Sequence, residues 1–163
     1  MAQSICTRLQ KTRVPLPAGE SSLNDQFENL LRRFHHHRGE LSLHTNQPKL
    51  SLSSYNTFIQ MLREQVGDQP RGKDQSLGVA WNELGCAYLQ NDTPLDAGEC
   101  FKKSIDPLGA LEGATRISIS MPLINLAFAY WLEGRFEDAA STFQDALVDR
   151  EKEYGLNDET SFV

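Results

Sequence analysis

The chain has 163 residues, 39% hydrophobic and 23% charged, with 16 Lys/Arg against 22 Asp/Glu and a net charge of −6; this allows one ordinary domain or a short repeat array. Residues 1–50 carry seven basic against four acidic residues, whereas 51–163 carry nine against eighteen, a balance of −9 in the back part. That sign repels nucleic acid, and no run of 18 apolar residues offers a membrane span, so neither nucleic acid nor membrane is expected as a partner.

In chain order, residues 1–22 hold Pro, Gly, Ser and scattered charge without periodicity and read as a disordered tail. Their first 19 residues hold three basic and no acidic residues, a weak echo of a mitochondrial presequence that Pro15, Pro17 and the lack of an amphipathic stripe argue against. Leu23, Phe27, Leu30, Leu31 and Phe34 share one helix face, with Ser22 as cap and Gly39 as stop. Residues 40–50 read as a loop. A second helix gathers Leu52, Tyr55, Phe58, Ile59 and Leu62 and stops at Gly67. Residues 67–75 form a polar linker.

From Ser76 the pattern tightens. A helix over about 77–91 runs into "NDTP", an end followed by a fresh start, with Pro94 suited to the first turn of the next helix. That helix is expected to stop at Asp106-Pro107, and residues 108–120 are ambiguous because Gly109 and Gly113 weaken a helical extension. The apolar run Met121–Leu132 reads as a buried helix. Gly134 allows a turn, and a last helix covers about 136–153. The expected domains are a tail over 1–22, two helices over 23–70 and a repeat region over 76–163.

The stretches "WNELGCAYLQNDTPLDAGECFKKSI" and "LINLAFAYWLEGRFEDAASTFQDAL" match at a constant offset of 42 residues. Trp81 meets Leu123, Leu84 meets Leu126, Gly85 meets Ala127, Tyr88 meets Tyr130, Ala97 meets Ala139, Phe101 meets Phe143 and Ser104 meets Ala146. Such self-similarity marks a solenoid of helical hairpins. Gly85 and Ala127 are read as points where two helices come close, with Ala97 and Ala139 on the second helix and Trp81, Tyr88 and Phe101 filling the space around.

These residues resemble the tetratricopeptide repeat. Trp81, Leu84, Gly85, Tyr88, Ala97 and Phe101 match its W-x-x-L-G-x-x-Y…A-x-x-x-F spacing. The second copy, at about 120–161 against about 78–119 for the first, lacks the Trp and the first Gly but keeps Leu126, Ala127, Tyr130, Gly134, Ala139, Phe143 and Ala146. The 42-residue period is similar to the kinesin-light-chain variety seen in fungal repeat proteins. The resemblance implies an all-α, right-handed helical-hairpin solenoid, with the helices of 23–70 as a degenerate repeat. It also implies a concave groove lined by the first helix of each repeat: Val79, Asn82, Cys86, Leu89 and Gln90, then Met121, Ile124, Asn125, Phe128, Trp131 and Leu132. The groove is largely apolar. Only Asn125 matches the residues that clamp a carboxylate terminus in some members, so that mode is set aside.

Chemistry has little foothold. No nucleophile elbow, phosphate loop or H-E-x-x-H is present, and no cofactor is expected. Cys6, Cys86 and Cys100 form no C-x-x-C pair and read as reduced thiols of an intracellular chain, cytoplasmic by default and otherwise nuclear. Cys86 would need a histidine, and all four lie at positions 35–44. His35–His37 read as a solvated helix end rather than a metal site, because consecutive side chains point about 100° apart. The expectation is a non-enzymatic scaffold or adaptor that binds a protein or peptide. The alternative is a regulatory arm of a larger protein. The next repeat would begin near residue 162, so either the helix over 136–153 caps the stack or, the favoured reading, the chain is the front of a longer array able to self-associate through the end around Tyr154 and Phe162.

Overall fold

The computed structural model describes residues 21–66, 75–109 and 119–154. Among them there is no strand, only six helices: α1 (Ser21–His44), α2 (Pro48–Val66), α3 (Gln75–Gln90), α4 (Pro94–Gly109), α5 (Ser120–Leu132) and α6 (Phe136–Tyr154). None is long and apolar enough to cross a membrane. Met1–Arg33 and Phe34–Val163 form separate units. In the first, the described residues are the opening turns of α1, whose Leu23, Phe27 and Leu30 are exposed. The expectations for 1–20, 67–74, 110–118 and 155–163, Phe162 included, fall outside the described residues.

Three turns of one design join the helices in pairs. Each ends a helix with a residue in the left-handed region: Asn46 (φ 54°), Asp92 (φ 55°) and Gly134 (φ 77°). The following N–H donates back across six residues, from Gln47 to the Ser42 carbonyl (2.8 Å), Thr93 to Tyr88 (3.0 Å) and Arg135 to Tyr130 (2.9 Å). This is the Schellman closure, which satisfies carbonyls that a helix end leaves open; Gly takes it without strain and Asn and Asp tolerate it. The same residues then start the next helix, their carbonyls accepting from Ser51, Ala97 and Ala139. Pro48 and Pro94 occupy the first helical position, where no N–H is needed.

Each pair also places a small residue seven positions before the left-handed one and an aromatic nine after it. On α3 and α4 these are Gly85 and Phe101, on α1 and α2 they are Gly39 and Tyr55, and on α5 and α6 they are Ala127 and Phe143. A Cβ on Gly85 would stand 2.4 Å from the Phe101 ring, and one on Gly39 would stand 2.9 Å from the Tyr55 ring. Tyr55 and Phe101 are both fully buried. Gly39 is therefore an interior contact residue, not a stop, and α1 continues to His44. The loop expected over 40–50 shrinks to residues 45–47.

From α2 onward packing runs from helix to helix: α2 on α3, α3 on α4, α4 on α5 and α5 on α6. Tyr55, Ile59 and Leu62 of α2 share one core with Ala80, Trp81, Leu84 and Ala87 of α3 and Cys100 of α4. Ala97 and Phe101 of α4 share a second core with Leu126 and Ala129 of α5. Leu84 and Phe101 each contribute about 2–3 kcal/mol by burial. Trp81 lies in the first core with Lys103 Nζ 4.8 Å and Arg63 Cζ 5.1 Å from its ring, and Tyr130 carries the Arg135 guanidinium at 4.0 Å.

Two further expectations need correction. α4 does not stop at Asp106-Pro107 but reaches Gly109, because Pro107 and Leu108 are buried against Gly78 of α3, where a Cβ would meet Leu108 at 2.6 Å. Phe143 is 43% exposed although its counterpart Phe101 is buried. Phe101 is covered by Leu126 and Ala129 of α5, whereas α6 packs against α5 alone among the described elements. Ala139 and Ala146, on the covered side of α6, are buried.

Gly39→Ala tests the contact with Tyr55 by sign. At an open helix position the change stabilises by up to about 1 kcal/mol. Against the immobile Tyr55 ring it is expected to destabilise by about 1–3 kcal/mol, read from the urea midpoint.

Candidate functional site

The odd-numbered helices touch one another along one side of the second unit. Gln90 of α3 donates to the Leu43 carbonyl of α1 at 2.9 Å, and Glu83 of α3 lies 3.3 Å from His36 of α1. Asn125 of α5 donates to Asn82 of α3 at 3.0 Å and reaches the Cys86 sulfur at 3.8 Å. These polar contacts align the faces on which the sequence placed its groove.

Along α3, Val79, Asn82, Cys86 and Leu89 are half-buried and Gln90 is exposed. On α5 the run Met121–Leu132 is not a wholly buried helix. Pro122, Leu123, Leu126, Ala127 and Ala129 are buried, and Ile124 and Asn125 are half-buried. Met121, Phe128, Trp131 and Leu132 are 52%, 45%, 53% and 45% exposed. Positions 121, 125, 128 and 132 fall on one helix face. Phe128 and Trp131 stack with centroids 5.8 Å apart and planes 16° from parallel, which preorganises them as one aromatic surface. The start of α5 is fixed by Asp149 of α6, whose Oδ2 accepts from the Ile119 N–H at 2.9 Å. A carboxylate suits that position at a helix N-terminus.

Beside this face lies a polar cluster that the sequence did not reveal. Glu83 is flanked by His36 and by the buried Tyr55 hydroxyl. Burial raises the Glu83 pKa, and the neighbouring His36 and Tyr55 only partly offset it. Burial, with Glu83 next to it, pushes the Tyr55 hydroxyl upward. Burial and then Glu83 push the Cys86 thiol up to about 11. Cys86 is therefore a protonated thiol near neutral pH, although the fold brings His36 against Glu83, one helix turn before it in the sequence. Cys100 is likewise pushed up to about 11 by burial.

The histidine run is not a solvated helix end. His35 is 8% exposed with no partner for Nδ1, and burial, then Arg38, lowers its pKa. His36 is half-buried and only His37 is open to solvent. His35, Gly39, Ser42, Ser51 and Tyr55 occupy the positions in the α1–α2 pair that Trp81, Gly85, Tyr88, Ala97 and Phe101 occupy in α3–α4. The Gly39-to-Tyr55 interval, equal to that from Gly85 to Phe101, was the signal available in the sequence. The polar substitutions around it concealed it.

No family model matches the sequence, and no curated protein matches it.

The raised Glu83 pKa has a signed consequence. The folded state holds this proton more tightly than the unfolded state, where the carboxyl titrates near 4.5, so stability from this group falls as pH rises upward from that value. Glu83→Gln removes the dependence. The difference in unfolding free energy, wild type minus variant, is expected to fall as the pH is raised above about 4.5 in urea titrations. A difference that stays level or rises would contradict the assignment.

Proposed function

We propose that the chain is a non-enzymatic interaction module of the tetratricopeptide type, a right-handed stack of three helical hairpins. It holds an apolar peptide or helix along the side formed by α3 and α5. The observation that carries this reading is the Phe128–Trp131 stack. Two large aromatic rings, about half exposed, are held rigid on the helix face that Asn125 ties to Asn82 and Cys86. Aromatic anchors of this kind dominate interface energies, and rigid ones lose little entropy on binding.

Two further observations support it. The three identical turns and the small-residue/aromatic spacing match what repeated hairpins require, including the degenerate first pair. The proposed groove carries no basic side chain among Val79, Asn82, Cys86, Leu89, Gln90, Met121, Ile124, Asn125, Phe128, Trp131 and Leu132, so its ligand is recognised by apolar burial and the Asn amides rather than by a terminal carboxylate. Binding needs no chemical step.

Peptide display against the full chain, followed by calorimetry on the selected peptides, tests the reading. Phe128→Ala/Trp131→Ala is expected to weaken selected peptides tenfold or more, about 1.4 kcal/mol. Its urea midpoint should shift little, since both side chains are half exposed. Peptides that bind the double variant as well as the wild type, or a selection that yields no binder, would overturn it.

A further inference from the structure

Outside the proposed groove, the middle of α1 gathers metal-ligating atoms. One ligand atom each from His36, His37 and Glu40 lies within 4.8 Å of the others. Consecutive histidines alone diverge by about 100° around a helix. Glu40, however, stands about 40° from His36 and about 60° from His37 on the same helix, between the two. The carboxylate thus bridges a divergence that the imidazoles cannot close.

We propose that His36, His37 and Glu40 bind one divalent transition-metal ion of the zinc class. His37 Nδ1 and Glu40 Oε2 are 3.3 Å apart. Two ligands of a tetrahedral zinc ion, each at about 2.0–2.1 Å, are separated by about 3.3–3.4 Å. This pair already has the required spacing, and His36 offers the third ligand atom within 4.8 Å of both. Two imidazoles and one carboxylate suit zinc and its neighbours, whereas calcium and magnesium prefer all-oxygen sets.

The surroundings hold the ligands in place. The His36 ring packs on Phe58 with centroids 5.1 Å apart and meets the edge of Tyr55 at 6.4 Å. Its Nε2 is 3.3 Å from Glu83 Oε2, and a carboxylate on a ligating histidine fixes the ring and strengthens it as a donor. The Arg38 guanidinium lies over the Phe34 ring at 5.9 Å. His37 and Glu40 are open to solvent, so the ion has an entry path and keeps water in its remaining position.

Calorimetric titration of zinc chloride into the full chain, without an affinity tag, tests the proposal. The expected result is one saturable site per chain, weakened tenfold or more in His37→Ala and in Glu40→Gln and unchanged in His44→Ala. His37 and Glu40 are exposed, so these variants keep the fold, checked by circular dichroism. Three results would overturn the site: no saturable binding, wild-type affinity retained in His37→Ala and Glu40→Gln, or a cobalt-loaded protein with a thiolate charge-transfer band, which would place the ion on cysteine.

Discussion

The approach of α3 to α4 at Gly85 is the constraint on which the rest of the structure depends. With a Cβ position 2.4 Å from the Phe101 ring, no side chain fits on α3 without moving a fully buried aromatic. That closeness lets Phe101 serve two neighbours, lying against Gly85 and joining Ala97, Leu126 and Ala129 in the second core. One aromatic on the second helix of a pair thereby fixes both its own hairpin and the docking of the next. Tyr55 has the equivalent place, against Gly39 of α1 and facing Glu83 of α3. The side chains differ in chemistry, but the arrangement is shared.

From this stacking follows the side on which function is proposed. α2 and α4 carry the aromatic plugs Tyr55 and Phe101, while odd-numbered helices meet through polar pairs, His36 with Glu83 and Asn82 with Asn125. A polar seam between neighbouring helices specifies register while leaving the residues beyond it uncovered. The exposed Phe128, Trp131, Met121 and Leu132 of α5 lie beyond that seam. Burial raises the pKa of the half-buried Glu83 carboxyl and Cys86 thiol nearby.

All-helical character and the presence of all six helices were legible in the sequence, because apolar periodicity survives in ordinary packing residues. The exit from α1 was not. Gly39 looks like a stop, since nothing local distinguishes a capping glycine from one pressed against an aromatic 16 residues away. Pro107 misled in the same way, being tolerated in a last turn that tertiary burial holds together. The run Met121–Leu132 looked uniformly buried, because composition carries no information on which face a neighbour covers. The polar cluster of His36, Tyr55 and Glu83 draws on three helices and could emerge only from their packing.

A double-mutant cycle at Gly85 and Phe101 tests the central contact most directly. Gly85→Ala, Phe101→Leu and the double variant would be compared by urea unfolding. If the stack rests on this close approach, the smaller Leu relieves the clash, and the double variant is more stable than the summed losses predict by about 1 kcal/mol or more. Losses that add to within about 0.5 kcal/mol would show that the two residues do not meet as described.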